Sequence, residues 1–380
     1  MNSTLHTYWR KLARGSRNGL PDQLLLAILT PFAAMYSLAQ ALRSQLYRSG
    51  ALQTRKLPRP VISIGNITVG GTGKTPVTAF IARRLLSQGL RVAVLSRGYG
   101  GTLEGQSAIV SDGQQTLLEA WQCGDEPYLL ASTVAGLMVV IGSDRHAAGM
   151  LALEKLSPDV FLLDDGFQHI RLHRDLDILL LDHSRPFGNG RTLPAGLLRE
   201  PRRAAERADI HIHTRCPKGA PAVPAIGGKP SCRARHTLRD ALPLKGGTPF
   251  PFGILRDRKA LAFAGIAEPQ NFFEGLHSQG VNLVSTVAFP DHVSYDGSRI
   301  AELAGAMEAS GADTLVTTEK DGVKLKQMPE NLAARTLLAR LDLAIDDPAP
   351  LETMLARVLG EHHSTSSDGN DKESCGTGLR

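Results

Sequence analysis

The stretch SIGNITVGGTGKTP, residues 63–76, decides the fold. It grows out of the apolar run PVISIG (60–65) and leads into VTAFIARRLLSQG (77–89), whose apolar residues recur at helical spacing. A strand, a Gly-rich loop and a helix in that order make the context of a P-loop. Gly70, Gly71 and Gly73 let the backbone close around phosphate oxygens with its amide hydrogens pointing inward. The loop Thr68, Val69, Gly70, Gly71, Thr72, Gly73, Lys74 and Thr75 therefore reads as a cradle for a nucleoside triphosphate. Lys74 is placed to reach the β and γ phosphates, and the Thr75 hydroxyl to meet Mg²⁺. One position departs from the generic pattern, because Thr68 stands where a Gly is usual.

Outward from the loop, short runs of Val, Ile and Leu alternate with helix-length segments: VAVLSRGYG (92–100), LMVVIGSDR (137–145), DVFLLDDG (159–166), DILLLD (177–182) and DIHIHT (209–214). Near-continuous apolar runs of this kind are parallel strands covered on both faces, so the spacing predicts an α/β fold with a doubly wound parallel sheet. Residues 217–251 are rich in Pro and Gly, the composition of a linker or an edge ribbon. A second, smaller α/β pattern follows in ALAFAGI (260–266), LVSTVAF (283–289), DTLVTT (313–318) and RTLLARLDLAI (335–345). The expected division is an N-terminal helical segment at 1–57, a P-loop domain at 58–216, a linker at 217–251, a smaller α/β domain at 252–360 and a disordered tail at 361–380, polar and poor in apolar residues.

Composition narrows the function. Lys and Arg number 43 against 37 Asp and Glu, a net charge of +6, yet nine basic residues and only Asp22 among the acids fall within residues 1–60. That segment carries +8 and the remainder −2, so the chain lacks the basic face of a nucleic-acid binder. The four cysteines stand far apart, with no metal-ligand or disulfide spacing, which fits a reducing compartment. Residues 23–42 carry no charge and are flanked by basic residues on both sides. Thr30, Pro31, Ser37 and Gln40 interrupt the apolar run, which favours a helix lying in a membrane interface, held by Arg and Lys against anionic lipid, over one that spans. A buried core helix is the plain alternative.

A triphosphate site needs a carboxylate for its metal. Asp164 and Asp165 end the strand FLLDD, at the edge where open α/β sheets bind ligands, and Gly166 lets the chain turn there. Farther on, six Arg against Glu200 and Glu206 within 185–207 give a local +4 suited to an anionic substrate.

The motifs GNITVGGTGKTP, SRGYGG, GDEPYLL, DDGFQH, DILLLD, GNGRTLPAGLLREP, FPDHVSY and TTEKDGVKL occur in that order. Together they resemble the tetraacyldisaccharide 4'-kinase family, the lipid A 4'-kinases of Gram-negative bacteria, over about residues 58–326. That family's loop also lacks Gly at the Thr68 position. The resemblance implies transfer of the γ-phosphoryl group from ATP, with Mg²⁺, to the 4'-hydroxyl of a tetraacyldisaccharide 1-phosphate, making lipid IVA at the cytoplasmic face of the inner membrane. It implies Asp125 of GDEP as the proton acceptor, His292 of PDH as its helper and Lys74 as a catalytic cation. Thr75, Asp164 and Asp165 would serve the metal. Arg97, Tyr99, Arg145, Gln168, Arg191, Arg199 and Glu200 are candidates for the lipid disaccharide. Asp125 and His292 lie in different α/β units and can meet only across a cleft, so closure over substrate is expected to complete the site.

Three other functions fit less well. A membrane ATPase switch of the deviant-Walker class needs a Lys where Val69 stands. A GTPase needs an N/T-K-x-D element, which TTEKD does not match because Lys320 and Asp321 are adjacent. A lipid-binding adaptor leaves Lys74, Thr75, Asp164 and Asp165 without a purpose. The TTEKD segment itself has no assigned role at this level.

Overall fold

The structure is a computed structural model describing residues 3–370 apart from positions 18 and 222, with side chains described over 8–361. Two helices, α1 (Ser3–Ala13) and α2 (Leu20–Arg48), precede β1 (Val61–Asn66), α3 (Lys74–Leu86), β2 (Val92–Ser96) and β3 (Ala108–Asp112). The chain continues through α4 (Ala120–Cys123), α5 (Asp125–Thr133), β4 (Met138–Ile141), α6 (Arg145–Leu156), β5 (Val160–Asp164), β6 (Leu176–Asp182), β7 (Ile210–Thr214) and β8 (Ser231–Pro243). The remainder is β9 (Ala260–Ala264), α7 (Pro269–Ser278), β10 (Leu283–Ala288), α8 (Gly297–Ser310), β11 (Thr314–Thr318), α9 (Glu319–Gly322), α10 (Glu330–Ala333), β12 (Thr336–Ile345) and α11 (Ala349–Asn370).

All the strands join one twelve-stranded sheet in the order β10-β9-β11-β12-β8-β7-β6-β1-β5-β2-β4-β3. Every neighbouring pair is parallel except β3 with β4 and β8 with β12. The period-two geometry of a strand sends alternate side chains to opposite faces. In β1, β2 and β5, Ile62, Ile64, Val92, Val94 and Leu162 enter one core, while Val61, Ala93, Leu95, Phe161 and Leu163 enter the other. The second half of the sheet does the same with Ala260, Ala262 and Val316 against Leu261, Phe263 and Leu315. Both faces are covered, which is why these strands read as unbroken apolar runs.

Three expectations need correction. The stretch 217–251 is not simply a linker, because it contains β8, which pairs parallel with β7 through Ser231–Arg233 and antiparallel with β12 along the rest of its length. Its alternation of apolar and basic residues hides it: Cys232 and Ala234 join the first core and Ala241 the second, while Arg235 pairs with Asp346 at 2.8 Å. Second, the chain does not stay in the smaller unit to residue 360. Leu351, Leu355 and Val358 of α11, spaced as one helical stripe, are buried in the core of the P-loop half. Third, the tail expected from 361 continues that helix as far as Asn370, there being no Pro to stop it, and 371–380 lie outside the described residues.

Helix α2 is not a core helix, since only 6% of its most apolar 18-residue window is buried. Its inner face meets the loop at 189–200: the Thr192 hydroxyl donates to the Ala33 carbonyl at 2.9 Å, and the Tyr36 hydroxyl to the Arg199 carbonyl at 3.0 Å. Its outer face exposes Leu20, Leu24, Ile28, Phe32, Met35, Leu38, Leu42 and Leu46, one every three or four residues.

Leu355→Ala in the α11 stripe is expected to lower folding stability by about 2–5 kcal/mol through the cavity it leaves. Leu38→Ser on the outer face of α2 should change it by less than about 0.5 kcal/mol. Urea unfolding of the two variants reads the difference.

Candidate active site

Loops leaving the carboxyl ends of β1, β2, β5, β6 and β7 on one side, and of β9, β10 and β11 on the other, line a single cleft of about 2460 Å³. The P-loop lies at its base, at the end of β1, where the sheet is built outward on both sides through β5 and β6. Gly73, at φ +80° before the first turn of α3, sits so close to His236 of β8 that a Cβ there would fall 2.3 Å from the ring. The loop is pinned from three directions. Thr214 Oγ1 donates to the Thr72 carbonyl at 2.8 Å, Arg215 donates to the Gly71 carbonyl at 2.6 Å, and the Val69 amide donates to the Leu197 carbonyl at 2.8 Å. Arg215 is itself fixed by Asp182 at 2.8 Å. Burial, reinforced by the charge of Arg215, pushes the His236 pKa down to about 4, so its ring packs on the loop as a neutral group.

Asp164 and Asp165 separate as two carboxylates at a strand end must. Asp164 is buried and accepts a hydrogen bond from Thr78 Oγ1 at 3.2 Å. Asp165, turned by a φ of +52°, faces Lys74 Nζ at 3.6 Å and Arg199 at 3.0 Å. Burial pushes the Asp164 carboxyl up, and the charges of Glu126 and Asp165 add to the effect. Burial acts on Asp165 too, but Lys74 and Arg199 outweigh it and hold that carboxyl below its ordinary value. Among the described residues no cluster of three or more His, Cys, Asp or Glu could enclose a metal. The Thr75 hydroxyl and two carboxylates beside a phosphate cradle do fit Mg²⁺, which keeps several waters and takes substrate phosphates as ligands.

Asp125 begins α5 directly after Gly124, whose φ of +91° brings the backbone against the Tyr99 carbonyl, where a Cβ would lie 2.5 Å away. His292 follows β10 in a left-handed conformation, φ +59°, and its Nδ1 stands 3.4 Å from Asp125 Oδ2. Burial would raise the Asp125 pKa, but the hydrogen bond from His292 and the charges of Lys324 and Lys320 hold it below the ordinary carboxylate value. Among the described residues, three of the four non-glycine residues with positive φ, namely Asp165, Arg215 and His292, line this cleft; the fourth, Ser157, caps a helix. Backbone strain of that kind persists where the surrounding structure enforces it.

The expected substrate residues divide. Arg97, Tyr99, Arg145, Gln168 and Arg199 line the cleft. Tyr99 meets His292 edge to face with ring centroids 5.8 Å apart. Arg145 is buried, which pushes its pKa down to about 10. Gln168 donates to the Asn66 carbonyl at 2.9 Å and accepts from Arg199, so it also braces the site. Glu200 is outside the cleft: it is buried in an ion pair with Arg207 at 2.9 Å, whose guanidinium stacks on Phe167. Arg191 is outside it as well, at the outer side where its guanidinium donates to the Thr30 hydroxyl of α2.

Several cleft residues escaped the sequence reading. Arg215 ends a recognisable apolar strand and could have been found there, whereas His236 lies in a strand the composition concealed. Arg10 and Arg14, counted as membrane-facing charge, turn inward to Glu268 beyond β9, with Arg10 NH1 also donating to the Ala267 carbonyl at 3.3 Å. Arg17 pairs with Asp22 and Arg55 with Asp144, both arginines being at the surface, where Lys11, Arg48, Lys56 and Arg59 are exposed as well.

The sequence matches the family described as tetraacyldisaccharide-1-P 4'-kinase over residues 25–360. It is 62% identical over 359 residues to the tetraacyldisaccharide 4'-kinase of Pelobacter propionicus, covering 94% of this chain and 99% of that one. Identity to the protein of the same name from Geobacter sulfurreducens is 54% over 353 residues, with 93% and 99% covered. The fold superposes on the crystal structure of "apo" form LpxK from Aquifex aeolicus in complex with ATP with a TM-score of 0.74 at 34% identity, covering 88% of this chain and 99% of that one.

With divalent ions chelated, Asp165→Asn should lower the melting temperature by roughly 1–2 °C, because Lys74 and Arg199 lose a partner worth about 1 kcal/mol. Asp164→Asn should leave it unchanged or raise it, because a buried charge opposed by Glu126 and Asp165 is removed. Thermal unfolding of the two variants separates these signs.

Proposed function

The chain belongs to the tetraacyldisaccharide-1-P 4'-kinase family, and on that premise we propose how its residues divide the work. It is an ATP- and Mg²⁺-dependent phosphotransferase of lipid A biosynthesis, moving the γ-phosphoryl group to the 4'-hydroxyl of tetraacyldisaccharide 1-phosphate to form lipid IVA. The observation that carries the assignment of roles is that the P-loop and His292, whose Nδ1 stands 3.4 Å from Asp125 Oδ2, line one cleft.

The backbone of 68–75 and the Lys74 ammonium hold the triphosphate, with Arg215, Thr214 and His236 keeping the loop in shape. Thr75, Asp164 and Asp165 would hold Mg²⁺, which when bound neutralises charge on the β and γ phosphate oxygens. Asp125 accepts the proton of the 4'-hydroxyl as that oxygen bonds to the γ phosphorus, and the electrons of the broken P–O bond leave with ADP. His292 aims the Asp125 carboxylate. Arg199 and Arg145 supply positive charge near the reacting phosphate, and Arg97 and Tyr99 contact the sugar. The body around β1, including α11, and the body around β9 to β11 act as two lobes that close on the substrate.

The same reading puts the protein at a membrane surface, the cytoplasmic face of the inner membrane, through the outer face of α2. Polar contacts from Thr30, Ala33, Tyr36, Ser37 and Arg43 tie its inner face to the body along most of its length. A spanning helix would carry Arg191 and Arg199 into hydrocarbon, so α2 lies in the interface. Full burial of a large apolar side chain contributes about 1.5–3 kcal/mol, so half the lower figure over eight residues is roughly 6 kcal/mol. Arg191, beside α2, faces the lipid headgroups and the anionic end of the substrate.

Incubation with γ-labelled ATP, Mg²⁺ and tetraacyldisaccharide 1-phosphate in mixed micelles should yield labelled lipid. Asp125→Asn should cut kcat at least about 100-fold with the KM for ATP nearly unchanged. Turnover within threefold of wild type would remove Asp125 from the mechanism. Replacing Leu24, Ile28 and Leu42 together by Glu should abolish sedimentation with anionic vesicles while ATP binding persists.

A further inference from the structure

The segment TTEKDGVK (317–324) runs from the end of β11 through α9 and projects two lysines toward the catalytic pair. Lys320 Nζ stands 3.5 Å from His292 Nε2, 3.4 Å from Glu126 and 3.5 Å from Asp291. Lys324 Nζ, almost fully buried, lies 3.7 Å from Asp125 Oδ2 and 3.0 Å from Asp321, over the ring of Tyr295. Asp321 is buried too, and fixes the segment by accepting the Gly265 amide at 3.0 Å and the Thr318 hydroxyl at 2.8 Å. The titratable and charged groups facing Asp125 and His292 are therefore Lys320, Lys324, Glu126, Asp291, Asp321, Tyr99 and Tyr295.

Two neighbours set the protons of the imidazole independently. An ammonium only donates, so the nitrogen that meets Lys320, Nε2, must present a lone pair. An ionised carboxylate only accepts, so the nitrogen that meets Asp125, Nδ1, must carry the hydrogen. Both demands select the same Nδ1–H tautomer. The distances of 3.4 and 3.5 Å exceed the optimum, as expected of a catalytic pair before closure.

We propose that Lys320 is a positioning residue of the phosphoryl transfer: by donating to His292 Nε2 it locks the imidazole as the Nδ1–H donor to Asp125, so that His292 orients the carboxylate and does not relay the proton. The proposal rests on the reading of Asp125 as proton acceptor. The proton leaving the 4'-hydroxyl then ends on Asp125, because Nδ1 already bears a hydrogen and Nε2 is engaged by Lys320. Lys324 holds the same carboxylate from its other side, so the segment after β11 supplies the pair's cations from the lobe opposite Asp125. Lys320 remains charged in this role. For Lys320, burial favours the neutral amine, yet Glu126, Asp291 and Asp125 outweigh it and raise its pKa.

The test compares full-length wild type, Lys320→Met, Lys320→Arg and Asp125→Asn in the mixed-micelle assay. It adds nitrogen-15 NMR of labelled histidines, with the His292 signals identified by their loss in His292→Gln. Lys320→Met should lower kcat about 10- to 100-fold while the KM for ATP and for lipid stay within threefold. Lys320→Arg, which also only donates, should recover kcat to within about fivefold of wild type. The wild-type spectrum should show His292 with hydrogen on Nδ1 alone, and Lys320→Met should lose that preference. A Lys320→Met kcat within twofold of wild type, or a wild-type His292 carrying its hydrogen on Nε2, overturns the proposal. If Lys320→Met does not fold, the wild-type tautomer and the Lys320→Arg rescue decide the matter. An active Asp125→Asn enzyme would instead sink the underlying assignment of the base, whereas an inactive one beside a fully active Lys320→Met enzyme would sink only the role of Lys320.

Discussion

The contact between Asp125 and His292 joins residues 167 positions apart, and the rest of the molecule is arranged so that it can form. Neither half of the sheet holds both groups. Asp125 starts a helix beside the P-loop strands, while His292 follows an edge strand of the other half. Strand β8 makes the meeting possible, because its first residues pair with β7 and the rest with β12, so both parallel units aim their carboxyl ends into the same cleft. Charge then completes what the backbone begins. Lys320 and Lys324 reach from the second half to Glu126 and Asp125 of the first, and Arg10 and Arg14 of α1 reach to Glu268. The cleft is bounded by ion pairs that cross it from one half of the sheet to the other.

Most of the fold was legible because the P-loop half is built from strands buried on both faces. Such strands leave continuous Val, Ile and Leu runs, and β1, β2, β5, β6 and β7 all fall where those runs lie. The edge strand β3 is partly exposed, and β8 alternates small buried residues with Arg, so neither gives that signal. The return of α11 to the first core was hidden for a different reason, since spacing identifies an apolar stripe but not the sheet that will cover it.

The site was legible in parts. The phosphate cradle and the Asp164 and Asp165 strand end could be read from local chemistry alone. The pairing of Asp125 with His292 could not, because no local pattern says that two distant loops touch; only the resemblance carried it. Charge counting located the excess charge but not its partners. The +8 of the first 60 residues suggested a basic membrane-facing terminus, yet Arg10, Arg14, Arg17 and Arg55 are matched to acids of the protein itself. What α2 exposes is an apolar stripe with a few cations beside it. Glu200 lies among substrate-like residues in sequence, and in the structure it pairs with Arg207 and accepts a hydrogen bond from Gln168.

The central claim is that the two halves make one proton-accepting unit, and a double-mutant cycle on kcat tests it most directly. Asp125→Asn, His292→Gln and the double variant would be measured with saturating ATP and lipid. If His292 acts only through Asp125, the double variant should be no slower than Asp125→Asn alone, within about twofold. Losses that multiply across the two sites would show that they act separately and would contradict the account.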